Sequence, residues 1–277
     1  IFRSQDASDA KGQKMLNAVS TSCDRMVKMI MHGCCGAMGH VITGLAAEDG
    51  EIRIVAGIDV REGTDLGYPV FPSLDQCSVE ADVIVDFASP KAVDGLLAYS
   101  CKKQVPVVLC TTGLSKEQLA AVEKASQMTA ILRSANMSLG VNLLLKLVSD
   151  AARVLAGSGF DMEIVEKHHN QKVDAPSGTA LALADSMNQA MDGQYAYTCD
   201  RSTRREKRNP KEIGISSVRG GSIVGEHDVI FAGRDEVLTL SHTAYSKAIF
   251  AKGALEAAKF LAGKKPGMYS MTDVVDL

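Results

Sequence analysis

The segment EIVEKHHNQKVDAPSGTA, Glu163 to Ala180, holds an unusual density of reactive side chains. Glu163, Glu166, His168, His169, Lys172 and Asp174 precede Pro176-Ser177-Gly178-Thr179. Two adjacent histidines cannot share one face of a strand, so at least one is expected to project toward a cleft. Lys172 stands four residues past His168. It could converge on the same ligand, as a clamp for an anion and a proton donor. Ser177-Gly178-Thr179 reads as a helix start whose amides and hydroxyls suit a carboxylate. The bland alternative is a solvated loop followed by an ordinary cap. That the loop joins two apolar elements favours the chemical reading. Adjacent histidines chelate zinc poorly, and neither H-E-x-x-H nor a cysteine set accompanies them, so no metal is expected.

A second constellation is Gly33-Cys34-Cys35-Gly36-Ala37-Met38-Gly39, between an apolar strand and a helix. Its spacing is G-x-x-G-x-x-G. The first glycine permits a tight turn, the next lets backbone approach a pyrophosphate, and the last lets the helix pack closely. Asp59 ends the following strand, where a carboxylate can bind adenosine ribose hydroxyls. Arg61 could meet a 2′-phosphate or be a solvated loop charge. NADH is therefore favoured and NADPH stays open. Cys110-Thr111-Thr112-Gly113 and Ser134-Ala135-Asn136-Met137 follow later strands, at the rim where a nicotinamide would lie, although Thr111 and Thr112 also suit a plain turn.

These residues need elements to position them. From Met26 the chain alternates apolar runs with helical stretches: strands at Val27–Met31, Ile52–Ile58, Ala81–Phe87, Val107–Cys110 and Thr129–Leu132. That alternation predicts a parallel sheet with helices on both faces. The rhythm changes after Ser134. A long apolar helix is expected over Leu139–Ala156, a strand over Phe160–Val165, a polar loop over Lys167–Pro176 and a helix from Ser177 to about Met187. Gly193–Lys211 reads as an exposed polar excursion. Strands at Ile213–Val218, Ser222–Phe231 and Glu236–Ser241 lack intervening helices, which predicts a mixed or antiparallel sheet. Lys247–Leu261 is a helix that could pack back on the first domain. Residues 1–25 are polar, without a signal-peptide core, and read as a leader or loose tail.

The 277 residues suit one large or two modest domains. The net charge of −3 and the absence of Trp argue against nucleic acid or an anionic membrane as partner. No apolar run approaches the roughly 20 residues of a membrane helix. The seven cysteines form no C-x-x-C pair and are odd in number, so a reducing, cytoplasmic setting is expected.

The motifs together resemble the 4-hydroxy-tetrahydrodipicolinate reductase (dihydrodipicolinate reductase) family of lysine and diaminopimelate biosynthesis. The family signature E-[IV]-x-E-x-H-x-x-x-K-x-D-x-P-S-G-T-A stands complete from Glu163 to Ala180. GCCGAMG, VDF followed by Ala88, TTG, SANMSLGVN, VRGGSIVGEH and the terminal VVDL extend the likeness from about Met26 onward. The resemblance implies an α/β chain. A Rossmann-like parallel-sheet dinucleotide-binding domain would cover 26–138 and 247–277. An α+β substrate domain over 139–246 would carry an open mixed sheet that assembles a homotetramer. It implies hydride transfer from NADH or NADPH to a cyclic dicarboxylate made from pyruvate and aspartate semialdehyde. His168 would be the catalytic acid/base and Lys172 the proton donor. His169, Ser177, Gly178 and Thr179 would contact substrate. The cofactor would meet Gly33, Cys34, Cys35, Gly36, Ala37, Met38, Asp59, Cys110, Thr111, Thr112, Ser134, Ala135, Asn136 and Met137. Cys110 stands where the family usually has Gly, and Met137 where it has Phe. Two other readings are a noncatalytic nicotinamide-binding regulator of the same fold, which would lack His168 or Lys172, and a semialdehyde dehydrogenase, for which Cys110 would be the nucleophile.

Overall fold

The computed structural model describes residues 26–61 and 65–275, so the expectation for residues 1–25 lies outside the described residues. Its first sheet is parallel throughout. The strands are β1 (Val27–His32), β2 (Ile52–Ile58), β3 (Val70–Phe71), β4 (Val83–Asp86), β5 (Val107–Leu109), β6 (Ala130–Arg133) and, from the chain's far end, β12 (Gly267–Tyr269). Their order is β12-β6-β5-β4-β1-β2-β3. Successive strands therefore wind away in opposite directions from the β1–β4 pair, and a crevice opens at the carboxyl ends of those two. Period-two alternation sends Met29 and Met31 to one face, under α1 (Ala37–Ala47) and α6 (Ala248–Leu261). Ile30 goes to the other, under α2 (Val93–Lys103) and α3 (Lys116–Ser126). The short strands β3 and β12 carry too few apolar residues to be read from pattern.

Residues after β6 build a second layer. Helices α4 (Leu139–Leu155) and α5 (Gly178–Gln189) cover one face of a five-stranded mixed sheet of order β11-β10-β7-β9-β8. These strands are β7 (Asp161–His168), β8 (Ala196–Thr198), β9 (Glu212–Arg219), β10 (Gly225–Ala232) and β11 (Val237–Ala244). β7 runs past the expected end at Val165, so Lys167 and His168 are strand residues rather than loop. Pairing explains it: Lys167 sits opposite Glu226 and Val218, and its Nζ donates to Glu226 at 2.9 Å and to Asp228 at 3.3 Å. A lysine so partnered can stay in a ladder. The expected strand from Ser222 begins only at Gly225. The 193–211 excursion is also more structured than its polarity suggests. It contains β8, and its Arg201 and Arg208 are tied to Glu163, Glu212 and Asp161. Among the described residues no helix is long and apolar enough to cross a membrane. A short helix α7 (Met271–Val274) closes the described chain.

Candidate active site

The glycine turn folds as its spacing requires. Gly33 has φ +84°, and a Cβ there would sit 2.8 Å from the Phe87 carbonyl oxygen. A Cβ on Gly39 would strike the Gly33 carbonyl at 2.5 Å and the Cys34 carbonyl, so the last glycine keeps helix α1 clear of the turn itself. Gly36 is the N-cap of α1 without a side-chain cap, and no acidic residue stands in the first turn. The helix amides near Ala37 and Met38 are thus open to an anion. The Cys34 side chain is buried and abuts Gly57, and burial together with Cys35 pushes its thiol up to about 12; what it offers a ligand is backbone. Asp59 accepts from the Cys35 amide at 3.0 Å and from Arg61 Nε and Nη2, both at 3.1 Å. Burial works against its charge, but Arg61 and the Cys35 amide hold its carboxyl below the ordinary range. Gly33, Gly36, Asp59, Arg61 and Ala88 line a cavity of about 430 Å³. The Cys34, Cys35 and Asp59 ligand atoms lie within 4.8 Å of one another, as metal ligands could. The Asp59 carboxylate, however, is already engaged by four N–H groups, the Arg61 amide at 3.0 Å among them.

The opposite rim is formed by the loops after β5 and β6. Thr111 is buried with a hydroxyl that has no partner among the described residues, whereas Thr112 is exposed. Burial and then the Asp86 carboxylate push the Cys110 thiol well above its ordinary range. That disfavours the reactive thiolate a semialdehyde dehydrogenase needs. Ser134 is half-buried and Ala135 exposed, while Met137 packs into the core. Asn136 reaches out of the rim, and its Nδ2 donates to Thr179 Oγ1 at 3.3 Å. This bond joins the parallel-sheet layer to the start of α5.

Strand parity sorts the Glu163–Ala180 segment. Glu163 and Lys167 point to one face of β7, and Glu166 and His168 to the other, with Met162 and Ile164. Glu166 is fully buried and its carboxylate is saturated. It accepts from His168 Nδ1 at 2.6 Å, the Ser177 amide at 3.1 Å, and Arg219 at 2.7 and 2.8 Å. Burial opposes its charge, but Arg219, Ser217, His168 and the Ser177 amide hold it down to about 2. The His168 ring meets His227 edge-on at 5.1 Å. His227 Nε2 lies 3.1 Å from Ser177 Oγ, which also accepts from the Ala180 amide as N-cap of α5. His168, Asn136, Thr179, His227, His242 and Lys247 line a cavity of about 90 Å³ between the layers. Lys172 does not meet His168: its Nζ donates to Asp174 Oδ1 at 2.7 Å. Lys172 first, and the Gly178 amide as well, hold the Asp174 carboxyl below its ordinary range. His169 is half-buried just past the strand end, and its carbonyl accepts from the Lys172 amide at 3.1 Å.

Comparison with known proteins matches residues 27–137 to the model described as dihydrodipicolinate reductase, N-terminus, and residues 140–275 to its C-terminus. The chain belongs to the dihydrodipicolinate reductase family. A 4-hydroxy-tetrahydrodipicolinate reductase of Caldanaerobacter subterraneus subsp. tengcongensis is 54% identical over 250 residues, 90% of this chain and 98% of the relative. One from Clostridium novyi is 47% identical over the same shares. A solved dipicolinate-bound dihydrodipicolinate reductase from Paenisporosarcina sp. TG-14 shares the fold, with a TM-score of 0.76 at 24% identity over 90% of this chain and 99% of that one.

Against the residues named from the family signature, the structure adds three. Glu166 stands within the signature, but sequence alone gives it no role, because its function lies in where its neighbours fold. Arg219 and His227 are distant in sequence and reach the site through β9 and β10. Their only signal was the VRGGSIVGEH stretch. The pairings Glu166 with His227 across β7–β10, and His168 with Arg219 across β7–β9, bring them in.

Proposed function

We propose that this chain reduces 4-hydroxy-tetrahydrodipicolinate to tetrahydrodipicolinate with NADH or NADPH, the 4-hydroxyl leaving as water, in lysine and diaminopimelate biosynthesis. One observation carries the reading. The Asp174 carboxylate lies on Lys172 Nζ with help from the Gly178 amide, and Arg219, which holds the Glu166 partner of the buried His168, donates to the Asp174 carbonyl at 2.6 Å. Those donors therefore suit a carboxylate, and the substrate has two. The open amides of α1 and the glycine cradle fit a dinucleotide diphosphate, with Gly33 to Met38 and Asp59 as its holders. The nicotinamide, when bound, supplies hydride.

The remaining work falls to the protein. A substrate carboxylate displaces Asp174 from Lys172 and takes the Gly178–Thr179 amides, with Ser177 as the buried cap that holds this helix start in place. His169 flanks that carboxylate. Glu166 orients His168 through Nδ1, leaving Nε2 toward Gly225 and the inter-layer cavity for proton transfer. Positioning and charge complementarity supply most of the rate. We place the enzyme in the cytoplasm as a homotetramer.

The test couples the chain to a synthase that condenses pyruvate with aspartate semialdehyde and follows oxidation of each reduced cofactor. Lys172→Ala should lower turnover roughly a hundredfold or more while NADH affinity holds. Wild-type turnover in that variant sinks the assignment.

A further inference from the structure

His32 and Asp86 have no part in the chemistry above. They are register partners at the carboxyl ends of the adjacent parallel strands β1 and β4, where the crevice opens. His32 Nδ1 meets Asp86 Oδ1 at 2.7 Å, and both residues are buried, Asp86 completely. Asp86 Oδ1 also accepts from the Ala88 amide at 3.2 Å, while Oδ2 is buried without a partner among the described residues. As mere packing this pair is a poor choice. Buried ionisable groups lose solvation that apolar side chains of similar volume would not.

Its placement gives it a use. His32 immediately precedes Gly33 and lines the 430 Å³ cavity together with Gly36, Asp59 and Ala88. The Nδ1 edge faces the carboxylate, so Nε2 is the ring atom left for a ligand, an acceptor in the tautomer that donates from Nδ1. Among the described residues no group bonds Nε2. The cavity extends toward Asp59 and Arg61, and its lining does not include the Cys110–Thr112 rim.

We propose that His32 is a further cofactor-binding residue, whose Nε2 accepts a hydrogen bond from an N–H or O–H of the adenosine half of the dinucleotide, with Asp86 as the positioning residue that fixes the ring's tautomer and angle. This rests on reading the cavity as the cofactor site.

Asparagine places an amide where Nδ1 stands and satisfies Asp86, but withdraws Nε2. Glutamine places an amide oxygen where Nε2 stands. The experiment measures binding of ADP-ribose and of reduced nicotinamide mononucleotide by calorimetry. His32→Asn should weaken ADP-ribose about fivefold, the size of one neutral hydrogen bond, and leave the mononucleotide unchanged. His32→Gln should stay within about twofold of wild type. Asp86→Asn should weaken ADP-ribose in the wild-type background and add nothing in His32→Asn, because it acts through the ring. Unchanged ADP-ribose affinity in His32→Asn overturns the proposal, as does equal loss for both ligands, which marks a structural role. If His32→Asn fails to fold, loss of ADP-ribose binding in a folded His32→Gln overturns it instead. A wild-type chain that binds no ADP-ribose fails the underlying reading of the cavity.

Discussion

Glu166 shows how much one buried side chain can organise. Its carboxylate holds the His168 ring, the amide that begins the α5 cap and the Arg219 guanidinium. Glu166→Gln leaves Arg219 without its charge partner, so we expect a loss of about 3 kcal/mol in a denaturant titration. Turnover should fall with it while NADH affinity holds; a variant with full turnover would free His168 from any need of orientation. His227 makes a separate claim. Burial, and then the neighbouring His168, lower it from 6.5 to about 4. The unfolded chain therefore binds the extra proton first. Stability from this group is complete above about 6.5 and is lost as pH falls toward about 4, by roughly 3 kcal/mol. Glu166 is depressed from 4.5 to about 2, so its own contribution is lost only below about 4.5. Melting temperature between pH 4.5 and 6.5 should fall with acid in the wild type and fall less steeply in His227→Gln, where the remaining slope belongs to His242, which burial also lowers. Equal slopes would assign the effect to another group. Arg61 bears on cofactor choice: it binds Asp59 while its side chain is 60% exposed, and can turn toward a 2′-phosphate without leaving the loop. Arg61→Ala should lower kcat/KM with NADPH about tenfold and spare NADH, and equal losses with both would remove that role.

At the scale of elements, β7 decides which parts of the signature do chemistry. Glu163 and Glu166 are both acidic and three residues apart, yet they face opposite sides of the strand. Glu163 serves Arg201 and Arg208 in an ion-pair network, and Glu166 serves the site. That division is not legible when Lys167 and His168 are read as loop, since parity has meaning only inside a strand. The parallel sheet, the glycine turn and the cap at Ser177 were legible because each depends on residues close in sequence. Arg219 and His227 are brought in by long-range pairing, and Asn136, legible as a rim residue, meets Thr179 only in the fold; neither leaves a local pattern. The Ser177 cap illustrates the difference. The hydroxyl was legible as a cap, but its contact with His227 Nε2 was not. Ser177→Ala therefore loses more than an ordinary cap worth about 1 kcal/mol, because a buried ring nitrogen also loses its partner. Thermal denaturation should show a fall larger than for Ser115→Ala, a more exposed N-cap on α3. Equal shifts would mean that the His227 contact contributes nothing.

Across the whole molecule, the two layers meet where the Asn136–Thr179 bond and the inter-layer cavity lie. The residues assigned to the site all come from one chain. Among the described residues, α4 and α5 cover the His168 face of the five-stranded sheet, and on the other face Arg201 and Arg208 reach Glu163 and Asp161 at one end. That other face presents Val165, Val218, Ile230 and Val237 between the Lys167, Glu226 and Asp228 charges, with Val218 46% and Val237 63% exposed. An apolar stripe rimmed by charges on a sheet face suits a second copy of the same face. We therefore expect light scattering after size exclusion to give a multiple of the single-chain mass. Ile230→Arg should reduce that mass while circular dichroism keeps the wild-type signature, because the substitution touches the open face and not the core beneath it. The dissociated chain should still bind NADH, since the glycine turn and Asp59 lie in the other layer. A wild-type chain at single-chain mass would leave this face without a partner and overturn the assembly. An Ile230→Arg variant that keeps the wild-type mass would place the contact on another surface.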